Sequence, residues 1–184
     1  MSKLNLVGLV VAGTVGLGCG GPEKPKPTLQ AELAGAPAWA KGSCLAGLPD
    51  HKGLCGVGSV QGMTNVSLAR SAAEGRARAD LARGLQMGVK AMLREYQTAT
   101  RSDVAGEQHV EDLSKQITDG ALSSARLQDT WVSDTGTFWA LVVLDTAAFT
   151  DSLNSMKQLD DEVRAAIVQR AAKTLRELDA SPEP

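Results

Sequence analysis

The side chains in this chain whose type and placing could do covalent chemistry are its cysteines, Cys19, Cys44 and Cys55. Cys19 closes a segment that opens with Lys3 and is apolar or small at nearly every position from Leu4 to Gly18. A basic start, an apolar run of about fifteen residues and small residues at the exit make a secretory signal, because a spanning helix needs about twenty apolar residues. Cysteine directly after that exit reads as a lipobox, with Gly16 where the pattern usually has Leu and Leu17 one place late. Cleavage after Gly18 would leave Cys19 to be acylated as the first residue of a bacterial lipoprotein. Several acyl chains, each buried methylene worth about 0.8 kcal/mol, hold such a protein at a membrane durably. Gly20 and not Asp follows Cys19, so the expected site is the outer membrane, with the domain periplasmic.

With Cys19 lipidated, Cys44 and Cys55 remain as an even pair, and an oxidising compartment predicts a disulfide between them. Closing so short a loop would restrict the unfolded chain by about 3 kcal/mol on the entropic model. The competing reading joins Cys44, His51 and Cys55, with Asp50, as metal ligands. Their spacing lacks the close Cys-x-x-Cys of structural zinc sites, so no metal is expected. The other histidine, His109, has no Cys, Asp or second His at ligand or triad spacing, and no nucleophile elbow occurs. No catalytic residue is therefore assigned. Gly56-x-Gly58 resembles the start of a dinucleotide fingerprint, but Gln61 fills the third glycine position and no βαβ series follows. No cofactor is expected, and the glycines are read as room for a helix to approach a strand. The formal net charge is −2 with no Lys/Arg run, which gives no electrostatic reason for a nucleic-acid partner.

The elements that must position these residues follow from periodicity. Pro22, Pro25 and Pro27 stiffen a tether after Cys19. Residues 29–36 suggest a short Ala-rich helical turn, and Pro37-Ala-Trp39 opens the domain with a packed aromatic. A Gly-rich strand is expected over 54–62. Residues 65–96 form a helix with Ala69, Ala73, Ala77, Leu81, Leu85, Val89, Met92 and Tyr96 on one face. Arg70, Glu74 and Arg78 make a solvated ladder on another face, and Gly75, Gly84 and Gly88 permit close packing or a bend. After a polar break over 100–106, with Ser102 or Asp103 as cap, Val110, Leu113, Ile117, Ala121 and Ala125 mark a second amphipathic helix. Residues 127–144 read as a hairpin around Asp134-Thr-Gly136. Its second strand puts Phe138, Ala140, Val142 and Leu144 on one face and Trp139, Leu141 and Val143 on the other. Both faces need cover, from the last helix or from another protein. That last helix is expected over 147–179, longer than a small domain, so it folds back at a break or pairs with another chain.

The expected fold class is α+β: a small antiparallel sheet, built from the Gly-rich strand and the C-terminal hairpin, packed against two amphipathic helices, with a long C-terminal helix. The expected division is a signal peptide over 1–18, the lipidated cysteine and tether over 19–36, the α+β domain over 37–150, and a C-terminal helix and tail over 151–184.

This order of features resembles the twenty-kilodalton Lpp membrane-associated lipoprotein family, LPP-twenty, over about residues 37–150. The resemblance is carried by the lipobox, Pro37-x-Trp39, Gly56-x-Gly58, the helix with Ala77-Arg-Ala-Asp-Leu-Ala82, and the hairpin with Trp131 and Trp139-Ala-Leu-Val-Val-Leu-Asp145. It implies a compact α+β domain on an outer-membrane or surface lipoprotein whose relatives assemble and do not catalyse. It supplies no catalytic residue. The lipobox with Gly16 in place of Leu, the Cys44–Cys55 pair and the long tail helix after Asp145 depart from the family pattern. The resulting functional expectation is a non-enzymatic envelope lipoprotein that self-associates or binds an envelope protein. The alternative is a periplasmic binding module for a lipid, glycan or peptide, which would need a cavity.

Overall fold

The computed structural model describes residues 28–48, 53–100, 107–157 and 159–180. The signal segment, Cys19, the tether up to Pro27, Asp50, His51, the Ser102 or Asp103 cap and the last four residues lie outside the described residues. The chain is α+β. Two single-turn helices, α1 (Leu29–Glu32) and α2 (Ala38–Lys41), and a 3-10 turn (Cys44–Gly47) lead into strand β1 (Leu54–Val60). Helices α3 (Val66–Thr100) and α4 (Glu107–Leu122), strands β2 (Arg126–Val132) and β3 (Phe138–Leu144), and helices α5 (Thr146–Ser155) and α6 (Asp161–Ala180) follow. No helix of the described residues is long and apolar enough to cross a membrane.

The three strands form one antiparallel sheet in the order β1-β3-β2. Register runs from Leu54 opposite Leu144 to Val60 opposite Phe138, so the Gly-rich strand and the second hairpin strand pair along their full length. Between β2 and β3 the hairpin closes with the Ser133 N–H donating to the Thr137 carbonyl around Gly136, whose φ of 84° suits a residue without Cβ. One extra residue, Gln128, interrupts the β2 register between Leu127 and Asp129, the count of a bulge.

Helix α3 seats directly on β1. Gly56 and Gly58 share a strand face with Val60, and a Cβ on Gly56 would stand 2.3 Å from the Ala77 carbonyl oxygen. A Cβ on Gly58 would stand 2.3 Å from the Ala77 nitrogen and 2.4 Å from the Ala73 carbonyl oxygen. Only hydrogen fits there, and Ala73 and Ala77 are wholly buried on the helix side. Running on from them, Leu81, Leu85, Val89 and Leu93 complete the buried stripe, so the true face follows a strict four-residue step to Leu93 and leaves Met92 and Tyr96 at its margin. The helix also shields the free edge of β1: Asp80 accepts from the Val57 N–H at 3.2 Å, and Arg76 donates to the Ser59 carbonyl.

Several expectations are corrected. Gly75, Gly84 and Gly88 meet nothing within 4 Å of an added Cβ, so they do not serve close packing. Arg78 is not a purely solvated rung: it pairs with Glu74 and donates to the Ala125 carbonyl at 3.0 Å, tying α3 to the start of β2. The C-terminal helix is two helices. Asp160 caps α6 by accepting from the Glu162 N–H, and Arg164 donates to the carbonyls of Met156 and Leu159, satisfying the end of α5. Met156 and Leu159 stay buried through this break, which is why the apolar periodicity ran across it.

The seating of α3 yields a paired prediction. Gly58→Ala should destabilise the domain by about 1–3 kcal/mol or more, the cost of forcing an extra carbon into a packed contact. Gly88→Ala, with open space at the same atom, should be neutral or stabilising by up to about 1 kcal/mol. Urea unfolding of both variants beside the parent checks it.

Candidate functional site

The second face of β3 is covered by the chain's own N-terminal segment and not by the last helix. Leu141 and Val143 pack with Trp39 and Leu48, and with half-buried Cys44, Leu45 and Cys55. Trp39 is 3% exposed, and its indole N–H donates to Asp129 Oδ2 at 2.9 Å, so it is a packed anchor between α2 and β2. The Cys44–Cys55 disulfide forms as expected, with Cα atoms 5.9 Å apart, and fastens the 3-10 turn to β1. Its two sulfurs are joined to each other and are not available to bind a metal together with His51. Among the described residues no group of three His, Cys, Asp or Glu side chains could hold an ion. His109 is exposed on α4.

At the hairpin end of the sheet, α1 is held by one carboxylate. Glu32 accepts from the Thr135 hydroxyl and from the Trp139 indole N–H, the latter at 3.3 Å. Burial pushes the Glu32 carboxyl up, but hydrogen bonds from Thr135, Ser133, Thr137 and Trp139 outweigh it and hold it below its ordinary value of 4.5. Trp139 in turn lies opposite Trp131, with ring centroids 6.2 Å apart and planes tilted by 45°. An open groove of about 430 Å³ runs beside this knot, past Leu29, Gln61 and Arg76. Glu32 was not singled out from sequence: a lone carboxylate in an Ala-rich turn carries no spacing signal, and its partners are over a hundred residues away.

At the opposite end, between α3, the start of β1, the end of β3 and α5, lies an apolar cavity of about 80 Å³. Gly84 and Gly88, one turn apart on α3, form part of its wall with Leu85, Val89, Met92 and Phe149. The signal existed in the sequence as two glycines four residues apart in a strong helix, each costing about 1 kcal/mol relative to Ala. The wall is almost entirely carbon, with Thr146 its one residue with a polar side chain among the described residues. It could take a small apolar group, and it presents no set of polar anchors for a sugar.

No protein-family model matches this chain, and no curated protein matches it.

The Glu32 knot predicts a pH dependence. A carboxyl held below its ordinary value adds stability above that value, and the gain is lost as pH falls through the lower folded value. Acid should therefore weaken the docking of α1, and Glu32→Gln should reduce stability at neutral pH while removing part of the acid sensitivity. Tryptophan emission during urea unfolding at pH 7 and pH 3 checks both.

Proposed function

We propose that this chain is a non-enzymatic lipoprotein of the LPP-twenty kind, anchored through Cys19 to the outer membrane and serving a structural or assembly role in the cell envelope. The observation that carries the reading is the agreement of two separate cysteine signals. Cys19 ends an export segment in sequence, and Cys44 and Cys55 form a disulfide, which persists in oxidising compartments such as the periplasm. The packed α+β domain with its disulfide-fastened N-terminal cover supports a rigid body carried on a tether. Its partner in this reading is a second copy or another envelope protein, with the lipid at Cys19 supplying the membrane contact.

Cys19→Ala should move the protein from the membrane fraction to the soluble fraction of the producing cell. A variant that stays with the membrane would overturn the anchor. Cross-linking of the intact envelope should give discrete higher bands containing this chain, and a purely monomeric pattern would count against assembly.

The apolar cavity favours a second reading, a periplasmic binding module for a lipid, and argues for an alkyl group over a glycan. Gly88→Leu, which places a side chain into the cavity, should abolish the binding of a short-chain fatty acid probe while leaving the fold intact by circular dichroism. Equal binding by the parent and the variant would remove this reading.

A further inference from the structure

Exposed large apolar side chains on the described residues are not scattered. Leu29 (74% exposed), Met63 (39%), Val66 (71%), Leu68 (58%) and Val132 (52%) all lie at one end of the sheet, and Met87 alone lies elsewhere. Their neighbourhood follows from the register. Val60, Phe138 and Val132 stand side by side at the last rung of the three strands. Leu29 shares the open groove with Val60 and Gln61. Met63 follows Gln61 by two residues, and Val66 and Leu68 belong to the first turn of α3, capped by Asn65 Oδ1 accepting from the Leu68 N–H at 3.0 Å. A monomer gains nothing in folding from apolar side chains held this far out, and a cluster of them marks a contact surface.

The place where the chain enters the domain names the occupant. Thr28 caps α1, and α1 is pinned to the hairpin by Glu32, so the chain arrives at this same end. Cys19 precedes Thr28 by nine residues, a reach of about 30 Å at full extension. A lipid at Cys19 would therefore keep this end within about 30 Å of the membrane surface, and Met87 lies about 30 Å further along α3. The surrounding charges balance: Arg70 and Arg76 on α3 stand against Glu32 and Asp134, and Glu74 pairs with Arg78. A bilayer surface thus meets no electrostatic barrier there. We infer that the end bearing Leu29, Met63, Val66, Leu68 and Val132 is a bilayer-facing surface that seats the domain end-on against the membrane, its apolar side chains entering the interfacial region beside the lipid anchor. The inference rests on the lipid anchor at Cys19 proposed above.

The test uses the full lipidated protein, with Leu68→Cys, Val66→Cys or Met87→Cys labelled by an environment-sensitive fluorophore while the Cys44–Cys55 disulfide stays oxidised. Each is reconstituted in vesicles of phosphatidylethanolamine and phosphatidylglycerol and floated. Probes at 66 and 68 should brighten at least twofold over detergent-free solution and be quenched by nitroxide-labelled lipid, and the probe at 87 should do neither. Flotation with no quenching at 66 and 68, or equal quenching at all three positions, overturns end-on seating and leaves the anchor standing. Brightening at 66 and 68 that grows with protein density and resists the nitroxide lipid assigns the surface to a second copy, and overturns the inference. Failure to float overturns the anchor and the seating together.

Discussion

The close approach of α3 to β1 is the constraint on which the rest of the structure depends. Two glycines on the strand and two alanines on the helix bring backbone against backbone, nearer than any Cβ at Gly56 or Gly58 would permit. That contact sets the height of the 35-residue helix over the sheet, and the remaining stripe of Leu81, Leu85, Val89 and Leu93 then has a fixed surface to meet. It also places Asp80 and Arg76 beside the free edge of β1, where they occupy backbone groups that would otherwise offer a template for another strand. One short-range steric fact thus settles packing, edge protection and helix direction together.

A sheet seated on one helix still leaves its other face bare. β3 resolves this by being apolar on both sides, and the described residues that precede β1 close over it. These residues form only single helical turns and a 3-10 turn, too short to be stable alone. They stay in place through long-range ties: the disulfide, the Trp39 bond to Asp129 and the Glu32 knot. The N-terminal segment from Thr28 onward is therefore part of the core.

The two ends of the sheet differ in character. One carries exposed apolar side chains, and the other has a small, partly open carbon-lined pocket between α3 and α5.

Much of this was determined by local sequence. Alternation along 138–144, the Gly-rich run at 54–60 and the four-residue steps in 66–93 specify strands and helix because side-chain periodicity is a property of each segment alone. The disulfide also followed from the even pair, Cys44 and Cys55, left once Cys19 is set aside. What sequence could not decide was every feature that pairs distant segments. Glu32 finds Thr135 and Trp139, Arg78 finds Ala125, and the N-terminal turns find the second face of β3. The same limit explains the break at 156–160, where Arg164 and Asp160 satisfy helix ends inside an unbroken apolar pattern. It explains too why Gly84 and Gly88 open a cavity whereas Gly56 and Gly58 close a contact. A glycine only removes a Cβ; what fills the space is decided by the segment that the tertiary fold brings opposite.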